Sequence, residues 1–283
     1  MEIRTIGVVG AGAMGGGIAN LAAMAGYNVI LRDIDMAFVE KALKNMDKYM
    51  AKSVEKGKMT DEARQAALAS IKGTTELEAM ADADFVIEAV IEKMDLKKEV
   101  FQALDRICRP DVILSTNTSS MSITAIAAVT GRPDKVCGMH FFNPAQIMRL
   151  VEVIRGLQTA DETIAAARDL AQKLGKTSIE VKKDSPGFVV NRVMIPQFIE
   201  AARLFEEGVA SIEDIDTAVK LGLNYPMGPF ELMDFTGIDI SAFVMEYFAD
   251  ELRNNQYAAP QIIKQMVRAG RLGKKTGGGF YIK

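Results

Sequence analysis

Short, continuous apolar runs alternate along the first two-thirds of the chain with stretches whose apolar residues recur every three to four positions. The first kind predicts strands and the second predicts helices. IRTIGVVG reads as a strand, residues 13–25 as a helix and NVILRD as a second strand, followed by a long helical stretch from about 36 to 56. DFVIEAV, VILST and KVCGMHF are further strands, each separated by helix-like sequence. RLVEVI and KTSIEV flank another helix near 161–174 and are placed to extend the sheet. Strands that are apolar throughout, alternating with helices, predict an α/β unit: a doubly wound, mostly parallel sheet covered on both faces.

Beyond KDSPGF the alternation stops. The pattern predicts helices at about 188–207, 211–221, 228–235, 239–253 and 260–268, with a single closing strand at GFYIK. Asp184-Ser185-Pro186-Gly187 is a turn cluster and marks the boundary. The expected division is an α/β domain over 1–184 and an all-helical C-terminal domain over 185–283. Ser211, three residues before Asp214, has the spacing of a helix N-cap.

Composition narrows the function. The 283 residues carry 34 basic and 37 acidic side chains, net −3, so no basic face for nucleic acid is predicted. Two cysteines, Cys108 and Cys137, form no C-x-x-C motif and no disulfide framework. With a single histidine they also argue against a zinc site, and no metal is expected. No apolar run reaches membrane-spanning length, and the early glycines do not suit a signal peptide, so a cytoplasmic protein is expected. The 17 methionines are scattered and read as gap-filling core residues.

Gly10-Ala11-Gly12-Ala13-Met14-Gly15 is a G-x-G-x-x-G motif between a predicted strand and a predicted helix. Gly10 permits the tight turn, Gly12 the close approach of a pyrophosphate, and Gly15 the packing of helix on strand. The helix N-terminus then offers unpaired N–H groups to phosphate. Asp33 closes the second strand, where a carboxylate accepts from both ribose hydroxyls and repels a 2′-phosphate. A Rossmann-type unit binding NAD is therefore expected. Arg32 leaves NADP open. The plain alternative is a glycine-rich turn with a surface aspartate.

VCGMHFFNPAQIMRLVEVI holds the only histidine, His140, and a carboxylate, Glu152, set between apolar neighbours. A lone histidine is more often packed than catalytic. Yet His140 ends a predicted strand, where ligands of such sheets bind. Glu152 shares a strand face with Leu150 and Ile154, so it faces solvent or is buried with a partner. Paired with His140, it would fix the ring and favour its protonated form, giving a base for an alcohol proton and an acid in reverse. The loop after VILST gathers hydroxyls and an amide from Thr116 to Ser120. It reads either as a helix N-cap or as donors beside a ligand. Asn191 and Arg192 lie one turn into the helical domain, expected to face the first domain or to form an ordinary polar face. Lys48, Lys52, Lys56 and Lys58 cluster at the end of the long helix. They read as a solvated helix end or as a seat for a phosphate-bearing tail.

Taken together, GVVGAGAMGGGIA, NTSSMSIT, GMHFFNPAQIMRLVEVI, SPGFVVNR, NYPMGPFELMDFTGID and RAGRLGKKTGGGFY resemble the short-chain L-3-hydroxyacyl-CoA dehydrogenase family over essentially the whole chain. The resemblance implies that His140 is a catalytic base with Glu152 its partner. It implies that Ser119 and Asn191 hold the substrate carbonyl. It further implies cofactor contacts at Asp33, Glu88, Lys93, Asn117 and Asn143, coenzyme A phosphate contacts at Lys52 and Lys56, and a homodimer formed through the helical domain. Where some relatives place a serine facing coenzyme A, the nearby residue here is Tyr49, which puts that contact in doubt. The implied reaction is reversible hydride transfer between 3-hydroxybutyryl-CoA and the nicotinamide. The same fold acting on another acyl-CoA, such as 3-hydroxyadipyl-CoA, and an NAD-binding protein without turnover are the alternatives. β-Hydroxyacid dehydrogenases place a lysine on the first helix after the boundary, and Gly187 to Gln197 contains none.

Overall fold

The structure, a computed structural model, describes residues 2–281. The chain divides into two compact units, Met1–Asp184 and Ser185–Lys283. In the first, β1 (Thr5–Val9), α1 (Ala13–Met24), β2 (Asn28–Arg32), α2 (Met36–Glu55), α3 (Asp61–Ala69) and β3 (Ile71–Thr74) come first. β4 (Phe85–Glu88), α4 (Met94–Ile107), β5 (Ile113–Thr116), α5 (Ile123–Ala127) and β6 (Val136–Phe141) follow. β7 (Leu150–Arg155), α6 (Asp161–Lys173) and β8 (Thr177–Val181) complete it.

Among the described residues the strands form one eight-stranded sheet in the order β3-β2-β1-β4-β5-β6-β7-β8. The order reverses between β1 and β4, which opens a crevice beyond the carboxyl ends of the central strands. Ile6, Val8, Phe85 and Ile87 are fully buried in those strands, with Ile18 and Ala22 of α1 and Leu170 of α6 in the same core. β1 to β6 run parallel, but β7 pairs antiparallel with β6 and carries β8 parallel to itself. Three features differ from the sequence expectation. The strand β3 and the helix α3 were not predicted individually. Ile71-Lys72-Gly73-Thr74 has only one strongly apolar residue because it pairs on one side only, at the sheet edge. The β6–β7 reversal is likewise invisible to periodicity.

The second unit holds α7 (Val190–Glu206), α8 (Ile212–Gly222), α9 (Pro229–Thr236), α10 (Ile238–Leu252) and α11 (Gln261–Arg268). Phe198, Phe230, Met233, Met245, Phe248 and Ile263 form its core. Ser211 does cap α8, accepting from the Asp214 N–H at 3.1 Å. The closing strand does not form among the described residues, and Ile282 and Lys283 lie outside them. Instead, the Asp234 carboxylate accepts from the Phe280 and Tyr281 N–H groups at 2.9 and 3.1 Å. Those donors are the ones a strand ladder would use. Buried Asp216 caps α9 through the Phe230 and Glu231 N–H groups, and Tyr281 donates its hydroxyl to the same carboxylate. Burial and that carboxylate push the Tyr281 phenol well above its usual range.

Candidate active site

The glycine motif forms the turn between β1 and α1. Gly10 sits at φ +105°, and an added Cβ there would strike the Ala89 backbone. A Cβ at Gly15 would overlap the Gly10 carbonyl, so this glycine lets α1 close on β1. At Gly12 an added Cβ meets no protein atom at all. Gly12 is the α1 N-cap with no side-chain cap, which leaves the first N–H groups of the helix to a ligand. Ala13 is exposed and Met14 half-buried on that first turn. Asp33 accepts from the Ala11 N–H at 2.6 Å and the Ile34 N–H at 2.7 Å. Its carboxylate therefore pins the loop and retains lone pairs for a ribose. Arg32 Nε donates to the Thr75 carbonyl at 3.0 Å, which turns the guanidinium to the protein backbone. A cavity of about 510 Å³ opens beside the loop, lined by Gly12, Ala13, Lys41, Asn45, Asn143 and Gln146.

The antiparallel pairing of β6 and β7 places His140 directly opposite Glu152. Paired residues on adjacent strands point to the same face. His140 Nδ1 lies 2.7 Å from Glu152 Oε2; Glu152 is 0% and His140 4% exposed. The contact makes Nδ1 the ring nitrogen bonded to the carboxylate. The Phe142 ring, 4.5 Å away between centroids, braces the imidazole. Cys137 is on the same strand but fully buried, and burial pushes its thiol up to about 12, which removes it as a nucleophile.

The hydroxyl loop follows β5. Thr118 Oγ1 accepts from the Met121 N–H at 3.0 Å, and the helix α5 is capped by Ser122, two residues beyond the expected Thr116–Ser120 segment. Asn117 joins the loop to the histidine strand, since its Oδ1 accepts from the Phe141 N–H at 2.9 Å. Glu88 was expected to contact the cofactor, but its side chain is 0% exposed. One oxygen binds Lys97 Nζ at 2.8 Å and the Val90 N–H at 2.7 Å, and the other accepts from Thr116 Oγ1 at 2.6 Å. A carboxylate so engaged supports the sheet end and offers no oxygen to a ligand. Lys93 is exposed at the start of α4. The reading of the sequence missed Lys97 and Glu92. Lys97 is fully buried and bridges Glu88 to Glu92, and Glu92 Oε1 accepts from the Ser119 N–H at 2.9 Å. The available signal was a lysine among the core-facing positions of α4, with Val100 and Phe101.

Asn143 is exposed at the start of the β6–β7 connection and precedes a cis Pro144. Lys176 Nζ holds that connection by donating to the Ala145 and Met148 carbonyls at 2.7 and 2.9 Å. Burial lowers its pKa. Lys52 and Lys56 are exposed on α2 and at its C-cap. Tyr49 is half-buried against the core. Asn191 is half-buried in the first turn of α7, in the second unit.

A glycine-loop dinucleotide crevice with a buried His–Glu pair at the strand ends defines a nicotinamide-dependent dehydrogenase. Comparison with known proteins specifies which kind. Residues 5–185 match the 3-hydroxyacyl-CoA dehydrogenase NAD binding domain, and residues 187–283 match the C-terminal domain of the same family. The chain belongs to the 3-hydroxyacyl-CoA dehydrogenase family, and its first unit is the NAD-binding part. It is 49% identical to a probable 3-hydroxybutyryl-CoA dehydrogenase of Bacillus subtilis, covering 99% of this chain and 98% of that one. It is 45% identical to a 3-hydroxybutyryl-CoA dehydrogenase of Clostridioides difficile, over 98% of each. The crystal structure of an (S)-3-hydroxybutyryl-CoA dehydrogenase from Ralstonia eutropha superposes with a TM-score of 0.96 at 47% identity, over 99% of both chains.

Proposed function

We propose that this enzyme interconverts (S)-3-hydroxybutyryl-CoA and acetoacetyl-CoA with NAD. The observation that carries the proposal is the 2.7 Å His140–Glu152 contact, buried in the sheet that carries the glycine loop, in a chain of this family. NAD, when bound, would accept the hydride that leaves C3 of the hydroxyacyl thioester. His140 takes the C3 hydroxyl proton on Nε2, and Glu152 stabilises the imidazolium that results. In the reverse direction protonated His140 gives that proton to the ketone. Ser119 and Asn191 are assigned to the substrate carbonyl, where fixed donors favour the developing charge. Asp33, Asn117 and Asn143, with the backbone of Gly10 to Gly15, are assigned to the cofactor. Lys93, and Lys52 and Lys56 for the coenzyme A phosphates, keep their implied roles. The Asp33 geometry and the inward turn of Arg32 support NAD over NADP.

The proposal extends to the setting. The enzyme is assigned to short-chain acyl-CoA metabolism, in fatty acid or butyrate pathways, in the cytoplasm. It is assigned a homodimer through the helical unit, which carries an apolar groove. No helix among the described residues is long and apolar enough to cross a membrane. The test follows nicotinamide absorbance with acetoacetyl-CoA and with 3-oxoadipyl-CoA, using NADH and NADPH in parallel. Faster turnover of acetoacetyl-CoA with NADH supports the assignment. Faster turnover of the longer diacid thioester keeps the chemistry and replaces the substrate. Binding of NADH without turnover of either removes the assignment.

A further inference from the structure

One buried side chain near the glycine loop has no partner among the described residues. Asn20 of α1 is 0% exposed, and neither its amide nitrogen nor its amide oxygen is hydrogen-bonded. Such buried amides are rare, because each orphaned group carries its full desolvation penalty. Asn20 follows Gly17 by three positions and Gly16 by four, so it lies on their side of the helix, one turn further in. Helical side chains lean toward the N-terminus, which carries the Asn20 amide beneath those two glycines. Both glycines line the cavity of about 510 Å³ beside the loop. A Cβ at Gly16 would touch Ala42, and one at Gly17 would press on Ala145 and Gln146. The Asn20 side of α1 therefore faces the seam between α2 and the β6–β7 connection, and the turn above it, Gly15 to Gly17, carries no side chain.

The polar groups around the cavity narrow the ligand. Lys41, Asn45, Asn143 and Gln146 bring one ammonium and three carboxamides, and among the described residues no carboxylate joins them. Lys41, Asn45, Lys48 and Lys52 recur on one side of α2, so a basic stripe leads from the cavity to Lys56 at the helix end, about 22 Å along the axis. On the opposite side, Asn143 and Pro144 follow closely on the strand of His140. We propose that Asn20 is a specificity-determining residue that receives a secondary amide of the pantetheine arm of an acyl-CoA. The proposal rests on the acyl-CoA reading given above, in which Lys52 and Lys56 meet the phosphates and His140 the acyl group, with the cavity between them. Asn20 leaves one donor and one acceptor orphaned, and a secondary amide supplies the complementary pair. A phosphate supplies acceptors alone and would leave the Asn20 oxygen unpaired. Gln146, half-buried against Gly17, is the side chain that turns aside to admit the arm.

The test measures binding of CoA and of 3′-phospho-ADP, the same molecule without its arm, to the full-length enzyme and to Asn20→Leu. Leucine keeps the volume of the side chain and removes both polar groups. The parent is expected to bind CoA more tightly than 3′-phospho-ADP. In Asn20→Leu the Kd for CoA rises about tenfold, the effect of losing the paired hydrogen bonds. The Kd values for 3′-phospho-ADP and NADH stay within about twofold, the scatter of independent sites. KM for acetoacetyl-CoA rises with the Kd while kcat holds, because the arm binds equally in ground and transition states. Asn20→Ala takes the place of the leucine variant should that chain not fold. Unchanged CoA binding in the variant overturns the proposal alone, as does a parent that binds both molecules equally. Equal losses for CoA and 3′-phospho-ADP overturn it, since the change then acts on the phosphates or on the fold. A loss confined to NADH gives Asn20 to the dinucleotide and overturns it as well. A parent that binds neither CoA nor 3′-phospho-ADP removes the acyl-CoA reading and the proposal with it.

Discussion

His140 and Glu152 stand twelve positions apart in sequence and directly opposite each other on neighbouring strands. Glu152 is fully buried, so its charge is tolerable there only with a partner. His140→Gln removes the proton-transfer atom but leaves the glycine loop untouched. It is expected to lower kcat by about 10²–10⁴-fold with NADH binding retained, as read by nicotinamide fluorescence. Glu152→Gln keeps the shape but loses the charge behind the ring. Its kcat is expected to fall by up to about 10⁴-fold, the loss found when an amide replaces a carboxylate behind a catalytic imidazole. Lys176 gives a pH signature. Burial lowers its pKa in the folded chain below the ordinary 10.5. Between those two values the unfolded chain binds more protons, so this group makes stability rise with pH. Urea midpoints measured across that range should rise less steeply in Lys176→Met than in the parent. Equal slopes would show that the ammonium is better solvated than its place beneath the Pro144 turn implies.

At the scale of the element, the β1–α1 turn separates two uses of glycine. Gly15→Ala drives a methyl into the Gly10 carbonyl and should lower the melting temperature as well as NADH affinity. Gly12→Ala meets no protein atom, so its melting temperature should hold while NADH affinity falls. Equal affinity for NADH in Gly12→Ala would remove the pyrophosphate from that turn. Most of this turn was legible in the sequence, because strand, glycines, helix and Asp33 report on one another through local spacing. Glu152 was legible as a misfit in an apolar strand. Its exact opposition to His140 was not, because the β6–β7 reversal is a pairing between strands and leaves no periodic mark. β3 escaped notice because an edge strand needs only one apolar contact layer. The buried Lys97 was the most informative oversight. The family resemblance points to Glu88 and Lys93 in this segment, while the structure joins Glu92 to the Ser119 N–H and to Lys97. Which face of α4 is buried decides the matter, and that face is set by packing on the sheet rather than by the charge of one residue.

At the scale of the whole molecule, the two units meet their burial needs differently. The sheet of the first unit is covered on both faces by its own helices. The helical unit retains an apolar groove of about 740 Å³, lined by Val193, Met194, Leu204, Val219, Leu223 and Leu232. Val193 is 58% and Leu223 60% exposed there, with Val209 and Leu221 also exposed on the unit. Contiguous apolar surface of this kind marks an association site, and a second copy of the chain fits the homodimer proposed above. Sedimentation of the parent at micromolar concentration should therefore give twice the chain mass. Val193 points outward from α7, so Val193→Asp leaves the Phe198–Met245 core in place and buries a charge only if a partner covers the groove. That variant should sediment as a monomer with unchanged helical content. A dimer that survives Val193→Asp would move the interface elsewhere, and a monomeric parent would leave the groove without the proposed partner. Turnover measured on the monomeric variant then separates a dimer needed for chemistry from one that only hides apolar surface.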